Sequence, residues 1–203
     1  MKYESKNIIG IDEVGRGPLA GPVYVCGVFM LQKNYKKFIL QKKFKNLKDS
    51  KKLSELNREL WFKKINQWKS EGVLDYCCVL KTANAVDQKG ISVCIKQSIE
   101  EILNKTFLPK DSQILLDGSL SAPQKYKNQK TIIKGDEKIP IISMASVVAK
   151  VLRDKKMKKI SKKFPIYYLD INKGYGTKKH ITQIKKFGLS KIHRKTFCKN
   201  LLK

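Results

Sequence analysis

Two kinds of hydrophobic pattern alternate along the chain. Short apolar runs of the kind that form buried strands occur at residues 8–11, 23–31, 74–80, 114–116 and 131–133. Over residues 53–68 and 91–103, apolar side chains recur every three or four positions, which predicts amphipathic helices. We predict a third helix over residues 143–156, capped by Ser143, and a fourth that begins at Thr177 and ends at Gly188.

The order of these elements predicts an α/β layer domain. Strands come first, helices and strands then alternate, and helices end the chain, which is typical of a mixed sheet covered by helices. We predict a main domain over residues 1–158 and a small, basic helical lobe over residues 159–203. The longest apolar stretch, residues 19–31, is too short to span a bilayer, and the polar start does not resemble a signal peptide. A cytoplasmic protein without a membrane segment is expected.

The charge of the chain is strongly positive. Its 203 residues contain 44 Lys and Arg against 17 Asp and Glu, a formal net charge of +27. Such a surface attracts polyanions, of which nucleic acid is the commonest. Almost all of the positive charge is lysine, however, which an AAA-rich genome would also produce. The charge therefore indicates compatibility with polyanions and does not by itself indicate a nuclease.

The other residue types with reactive side chains give no sign of chemistry. The five cysteines are odd in number, lack CxxC spacing and lie mostly in apolar runs, so we predict free buried thiols with no disulfide or zinc site. His180 and His193 have no carboxylate or serine at a spacing that indicates catalysis, and we interpret both as structural. Trp61 and Trp68 follow the helical phase and are predicted to lie in the core.

Acidic residues follow three of the predicted strands: Asp12 and Glu13, then Asp117, then Asp136. Such acids repel one another if they converge, unless cations lie between them, and carboxylate oxygens suit Mg²⁺ or Mn²⁺. Two such ions about 3.5–4 Å apart can activate water and stabilise the leaving oxygen of a phosphodiester. The alternative is that each acid only caps a turn.

The adjacent pair Asp12 and Glu13 poses a geometric problem. Neighbouring residues of a regular strand point to opposite faces, so both cannot reach one site from ideal strand geometry. We therefore expect the backbone to leave strand geometry at this point. Gly15 and Gly17 would allow this change of backbone direction without steric strain, because they lack a Cβ.

An ordered set of motifs runs from residue 8 to residue 197. It begins with IIGIDEVGRGPLAGPV (8–23) and DSKKLS (49–54), and continues with LDG (116–118), KGD (134–136) and ASVVAKVLRD (145–154). NKGYGT (172–177) with His180, and IHRKTF (192–197), complete the set. In this order the motifs resemble those of the ribonuclease HII family, and the resemblance covers almost the whole chain.

The resemblance implies a fold and a reaction. The fold is an RNase H-like mixed five-stranded sheet flanked by helices. Asp12, Glu13, Asp117 and Asp136 would be catalytic and would hold Mg²⁺ or Mn²⁺. The reaction is hydrolysis on the 5′ side of a ribonucleotide, which leaves 3′-hydroxyl and 5′-phosphate ends. On chemistry alone Glu137 and Asp154 compete for the fourth position, but Asp136 matches the family motif.

The resemblance also implies how substrate is recognised. The turn of Gly15, Arg16 and Gly17 would contact the ribose 2′-hydroxyl, the group that separates RNA from DNA, through its backbone. Tyr175 would stack on the deoxyribose that follows, and Ser50 and Lys51 would contact the phosphate backbone.

Partners follow from the same resemblance. We expect RNA–DNA hybrids and ribonucleotide-containing duplex DNA as substrates and a monomeric enzyme, and a replication clamp remains open as a protein partner. Two other functions remain open from the residues alone. One is a non-catalytic RNA- or DNA-binding module, and the other is a related metal nuclease acting on DNA junctions.

Overall fold

The computed structural model describes residues 7–44, 47, 53–109 and 111–201. The strands are β1 (Asn7–Val14), β2 (Val23–Leu31), β3 (Leu74–Lys81), β4 (Gln113–Asp117) and β5 (Gln129–Ile132). The α-helices are α1 (Gln32–Leu40), α2 (Glu55–Ser70), α3 (Ala83–Lys89), α4 (Ile91–Lys105), α5 (Gly135–Lys138), α6 (Pro140–Ser161), α7 (Leu169–Asn172), α8 (Lys178–Phe187) and α9 (Lys195–Cys198). Short 3-10 helices span Pro165–Tyr167 and Lys199–Leu201.

The five strands form one mixed sheet in the order β3-β2-β1-β4-β5. The pairs β1–β2 and β2–β3 are antiparallel, whereas β1–β4 and β4–β5 are parallel. The expected fold class, a mixed five-stranded sheet flanked by helices, is thus confirmed. The central strand β1 pairs in parallel with β4, so the carboxyl ends of these two strands lie side by side.

Helices cover both faces of the sheet. On one face Ile8 packs in a cluster with residues of α2 and α6, such as Trp68 and Val148. On the other face Ile9 packs with residues of α3 and α4, such as Val86. Ile8 and Ile9 therefore point to opposite faces, as the period-two geometry of a strand requires.

Helix α6 lies directly against β1. A Cβ on Gly10 would come within 2.5 Å of the backbone carbonyl carbon of Ile141 at the start of α6. Only glycine permits this approach. The close contact brings the first half of α6 to the carboxyl end of β1.

The third hydrophobic cluster joins the end of the chain to the segment between β1 and β2. Ala20 packs with Met157, Tyr167, Leu169 and Ile184, all of them buried. Helix α6 continues through residue 158 to Ser161, and the division of the chain at residue 158 stays a prediction. None of the helices among the described residues has the length and apolar content that a membrane crossing requires.

Helix ends were predicted with mixed success. Thr177 caps α8 by accepting a hydrogen bond from the His180 N–H, and Gly188 ends that helix, as expected. The predicted cap at Ser143 is wrong, because α6 begins at Pro140, where the preset φ of proline favours a first helical residue. The Ser143 hydroxyl lies inside the helix and donates to the Asp136 carbonyl oxygen at 2.6 Å.

The prediction that all cysteines are free is wrong for two of them. Cys26 and Cys78 face each other across β2 and β3, with their Cα atoms 4.2 Å apart, and form a disulfide. Their separation of 52 residues in the sequence gives no sign of this pairing, because only the register of the two strands brings them together. Cys77, Cys94 and Cys198 are free thiols.

Candidate active site

The carboxyl ends of β1 and β4 meet at a cavity of about 410 Å³. Ile11 pairs with Leu116 in the parallel ladder, so Asp12 and Asp117 follow side by side on neighbouring strands. The carboxyl ends of parallel strands are where α/β sheets place their ligands. The cavity is lined by the acids Asp12, Glu13 and Asp117; by Val14 at the end of β1 and the turn residues Gly15, Arg16 and Gly17; by Tyr175; and by the helical residues Arg58, Ser146 and Lys150.

Asp12 is the most buried acid of the cavity, with 4% of its surface exposed. Its carboxylate accepts hydrogen bonds from the Glu13 N–H, at 2.7 Å, and from the Ser146 hydroxyl. Burial first, and then the negative charges of Glu13 and Asp117, raise the pKa of Asp12 well above its ordinary value. A cation beside these carboxylates would reverse that effect by favouring the charged form.

Glu13 reaches the same cavity although it follows Asp12 directly. The expectation that the backbone leaves strand geometry here is wrong, because β1 stays paired through Val14, opposite Tyr24. The cavity lies at the end of the strand rather than on one of its faces, so both side chains reach it. The Glu13 carboxylate also accepts a hydrogen bond from Arg16 at 3.2 Å.

Asp117 connects β4 to the helix that carries Asp136. Its carboxylate oxygen Oδ1 accepts hydrogen bonds from the N–H of Gly135 at 2.6 Å and from the N–H of Asp136 at 3.2 Å. Asp136 itself is fully buried and does not line the cavity. The structure thus brings Asp12, Glu13 and Asp117 to one cavity and holds the backbone of Asp136 against Asp117.

Of the two competitors for the fourth position, Glu137 follows Asp136 in α5. Asp154 lies on α6 and forms an ion pair with Lys150 at 3.0 Å. Both residues of this pair belong to α6, so the contact joins two successive turns of that helix.

The glycine turn is packed tightly on one side and open on the other. Gly15 adopts a φ of +90°, and a Cβ there would lie 2.3 Å from Nε of Arg153 and 2.9 Å from the Pro22 carbonyl oxygen. At Gly17, in contrast, no atom of the described residues other than Gly17 and its two chain neighbours lies within 4 Å of where a Cβ would be. The turn is therefore packed against Arg153 and Pro22 at Gly15 and leaves open space at Gly17.

Tyr175 lies beside this turn because its loop packs on the chain that follows the turn. The Gly174 carbonyl oxygen accepts hydrogen bonds from the N–H groups of Leu19, at 2.8 Å, and Ala20, at 3.2 Å. A Cβ on Gly174 would come within 2.2 Å of the Ala20 carbonyl oxygen. The Tyr175 side chain is 42% exposed, and its ring lies 5.8 Å from the Arg153 guanidinium.

Besides Val14, three polar residues of the cavity were missed by the sequence reasoning: Arg58, Ser146 and Lys150. Ser146 and Lys150 lie one helical turn apart on α6 and so share a face, and both belong to the motif 145–154. Their spacing was a usable signal. Arg58 offered none, because its position depends on how α2 packs. Ser50 and Lys51 lie outside the described residues.

The donor chemistry of the cavity fits a divalent cation. In the described part of the chain, no group of three or more His, Cys, Asp or Glu side chains is arranged to coordinate a metal ion by itself. Mg²⁺ does not need one, since it commonly binds one or two carboxylates and completes its shell with water and substrate oxygens. The neighbouring acids and the raised pKa of Asp12 describe such an open site in need of positive charge.

Comparison with known proteins assigns this architecture to a family. The family model described as ribonuclease HII matches residues 9–200. The chain belongs to the ribonuclease HII family. It is 42% identical over 192 residues to the ribonuclease HII of Helicobacter acinonychis (strain Sheeba), covering 94% of this chain and 95% of the relative. It is 44% identical over 194 residues to that of Aliarcobacter butzleri (strain RM4018), covering 95% and 91%.

Solved structures agree with the fold. The structure titled as the PCNA:RNase HII complex from Archaeoglobus fulgidus aligns with a TM-score of 0.74 at 23% identity, over 96% of each chain. A Bst-RNase HIII in complex with Mn²⁺ aligns with a TM-score of 0.61 at 15% identity, over 92% of this chain and 64% of that one. At these identities the two structures support the fold alone.

Membership of the ribonuclease HII family makes the protein a ribonuclease H, a divalent-metal-dependent hydrolase that acts on RNA–DNA substrates. The alternative of a non-catalytic binding module is therefore rejected. The carboxylate cavity at the end of β1 and β4 is the candidate active site of this ribonuclease HII.

Proposed function

We propose that this ribonuclease HII cuts on the 5′ side of single ribonucleotides embedded in duplex DNA as well as within RNA–DNA hybrids. Each cut leaves 3′-hydroxyl and 5′-phosphate ends. One observation carries the proposal: the acids Asp12, Glu13 and Asp117 line the same cavity as the glycine turn and Tyr175. The acids that would hold metal and the turn that would contact the ribose therefore line the same cavity of about 410 Å³.

In this proposal Asp12, Glu13 and Asp117 would hold a pair of divalent cations, and Asp136, which is buried next to Asp117, would be the fourth acid. Mg²⁺ or Mn²⁺ would supply activation of the attacking water and stabilisation of the leaving oxygen. The Mn²⁺ complex of Bst-RNase HIII supports this choice of ion. Ser146 orients the Asp12 carboxyl by hydrogen bonding to it, and Lys150 adds positive charge to the cavity wall.

Recognition of the ribonucleotide falls to the turn and the tyrosine. The backbone of Gly15, Arg16 and Gly17 would contact the 2′-hydroxyl from the open side of the turn, where Gly17 leaves room for a sugar. The partly exposed ring of Tyr175 is available to stack on the next deoxyribose. Ser50 and Lys51, outside the described residues, are proposed to contact the phosphate backbone.

The wider setting of the enzyme is also proposed. Residues 159–203 would act as a basic lobe that binds the duplex beside the cavity. The PCNA complex of the Archaeoglobus fulgidus ribonuclease HII supports a replication clamp as a partner. We further propose a monomeric cytoplasmic enzyme that acts in ribonucleotide excision repair.

The decisive experiment is Asp12→Asn, assayed with Mg²⁺ and with Mn²⁺ on duplexes that carry one ribonucleotide, several ribonucleotides or none. We expect cleavage to be abolished, because the central buried carboxylate is replaced by a neutral amide of the same shape. Binding of the duplexes should survive, since the change removes negative charge from a cavity that faces phosphate.

The matched control is Asp75→Asn. Asp75 lies on β3, is half exposed and pairs with Lys69, so its loss should leave cleavage unchanged. An Asp12→Asn protein that cuts at the wild-type rate would contradict the proposed site. Cleavage by the wild type of duplexes with several ribonucleotides, but not of those with one, would confine the activity to hybrids.

A further inference from the structure

The segment of residues 190–194 near the end of the chain lies against both proposed recognition elements. Its backbone pairs with the chain that follows the glycine turn. The Arg194 N–H donates to the Leu19 carbonyl oxygen at 2.7 Å, and the Gly21 N–H donates to the Ile192 carbonyl oxygen at 2.8 Å. The segment also carries two buried polar side chains, His193 and Arg194, each of which reaches one of the recognition elements.

Arg194 binds the back of the glycine turn. Its guanidinium is fully buried and donates to three backbone carbonyl oxygens: Nε to Gly21 at 3.1 Å, Nη1 to Arg16 at 2.9 Å and Nη2 to Gly15 at 2.7 Å. A planar fork of five donors can serve three acceptors at once, whereas a lysine ammonium on a flexible stem cannot hold the same geometry. Burial first, and then the nearby Arg153, lower the pKa of Arg194 to about 10, so it keeps its proton at neutral pH.

These contacts orient the amides of the turn. All peptide bonds among the described residues are trans, and in a trans peptide the carbonyl and the following N–H point to opposite sides. Holding the carbonyls of Gly15 and Arg16 on the buried guanidinium therefore turns the N–H groups of Arg16 and Gly17 away from it. Because both residues line the cavity, two aligned donors can face a ligand oxygen there.

His193 reaches the Tyr175 loop through His180. His180 Nδ1 lies 2.9 Å from the Tyr175 carbonyl oxygen, which can only accept, so Nδ1 is the donor. In a neutral ring Nε2 must then accept, and its neighbour at 3.2 Å is Nε2 of His193. His193 must therefore donate from Nε2 and accept at Nδ1. Its Nδ1 does accept a hydrogen bond, from the Ser190 N–H at 3.0 Å, so the two tautomers agree. Burial lowers the pKa of both rings, which keeps them neutral.

The segment is itself anchored independently of the cavity. The Asp87 carboxylate accepts hydrogen bonds from the N–H groups of Lys195, at 2.8 Å, and Thr196, at 3.0 Å, and from the Thr196 hydroxyl at 2.6 Å. Asp87 lies on α3, which packs on the sheet. The position of Arg194 is thus tied to the sheet and not only to the turn that it holds.

We propose that Arg194 and the His180–His193 pair are positioning residues that fix the amides of the glycine turn and their distance from Tyr175, and so set discrimination for the 2′-hydroxyl. This inference rests on the proposed function of the turn and Tyr175. In this proposal none of the three side chains touches substrate: Arg194 and His180 act through the backbone carbonyls that they hold, and His193 acts through His180.

The first test is Arg194→Lys, which keeps the charge. Affinity is measured without divalent ions, so that nothing is cut, for a duplex with one ribonucleotide and for the same duplex made entirely of DNA. Loss of aligned donors should lower the ratio of the two affinities about tenfold, while affinity for the all-DNA duplex changes little.

The matched control is Ile65→Ala, a buried residue of α2 that packs in the core and does not line the cavity. It should lower the melting temperature and leave the affinity ratio unchanged. If Arg194→Lys behaves like this control, or leaves the ratio as in the wild type, its role is structural and the inference is overturned.

A second pair of variants keeps the inference testable if Arg194→Lys does not fold. His180→Leu removes the donor to Tyr175, whereas the side-chain amide of His180→Asn can place an N–H near the former Nδ1. We expect His180→Leu to lower the preference in kcat/KM for an embedded ribonucleotide over a uniform RNA–DNA hybrid, and His180→Asn to retain most of it. Equal ratios in both variants and the wild type would refute the role of the pair.

These outcomes are distinguishable from failure of the proposed function. A wild-type protein that does not cut embedded ribonucleotides would remove that function itself. A wild type that cuts them, with unchanged discrimination in the Arg194 and His180 variants, would remove only the inference.

Discussion

The two halves of the candidate site are built differently. Asp12 and Asp117 sit at the ends of paired strands in the middle of the sheet, where the ladder between Ile11 and Leu116 sets their separation. The glycine turn and Tyr175 sit on loops, and side chains from the end of the chain hold them in place. The acids are positioned by backbone pairing, whereas the proposed recognition elements are positioned by buried side-chain hydrogen bonds.

This difference separates the two requirements of the enzyme. Metal ligands need a rigid frame with little freedom, which the centre of a sheet provides. Recognition of a sugar needs exposed backbone, which a sheet cannot offer because its N–H groups are already paired. A loop can offer it, but then needs support from elsewhere. A substitution that disrupts the sheet should therefore disturb both halves of the site. A substitution of the side chains that hold the loops should disturb only the glycine turn and Tyr175.

The largest effect is expected from Gly10→Ala, at the contact between β1 and α6. The added Cβ would lie 2.5 Å from the Ile141 backbone, and neither β1 nor α6 can move away without disrupting its hydrogen bonds or its packing. We expect the free energy of unfolding to fall by about 3 kcal/mol, with loss of metal-dependent cleavage. Urea denaturation measures the first effect. The control is the stability of Gly17→Ala, whose Cβ meets open space; equal stability of the two variants would show that α6 does not depend on this contact.

A smaller effect is expected from acid, through the support of the Tyr175 loop. Burial first, and then His180, lower the pKa of His193 from its ordinary value of 6.5 to about 4. The unfolded chain therefore binds more protons than the folded one between these values, and stability falls as the pH falls from 6.5 to 4. We expect this loss to be smaller than that caused by Gly10→Ala and to be complete only near pH 4.

His193→Gln removes this titration. Its unfolding free energy should depend less on pH than that of the wild type between pH 6.5 and pH 4, when urea curves are compared at each pH. Asp12 has a raised pKa and contributes with the opposite sign, so the difference between the two proteins is the quantity to measure. Parallel profiles would show that His193 does not carry the effect.

The smallest effect on stability is expected from Gly15→Ala, which strains the turn and its contact with Arg153. Its φ of +90° and the Arg153 side chain behind it disfavour a Cβ, at a cost of about 2 kcal/mol. The cleavage rate should fall by more than this loss of stability explains, because the turn amides move while the acids stay in place. Stabilisation of the protein by Mn²⁺, read as a shift in melting temperature, should persist. Loss of that shift would mean that the two halves are not separable.

Much of this architecture was accessible from the hydrophobic pattern. The five apolar runs became the five strands, and the helices over residues 53–68 and 91–103 became α2 and α4 with small shifts at their ends. The motif set located the turn, the acids and Tyr175. What failed was local detail that depends on packing, such as the start of α6 at Pro140 and the continued pairing of β1 through Val14.

The sequence by itself determined the strands, the principal helices and the family, because hydrophobic period and ordered motifs are properties of the chain read residue by residue. Only the tertiary structure decided that Cys26 meets Cys78, that Ser146 and Lys150 line the cavity, and that Arg194 reaches back to Gly15. Each of these contacts joins distant stretches of chain. Strand register and helix packing create them, and neither is written in a local pattern.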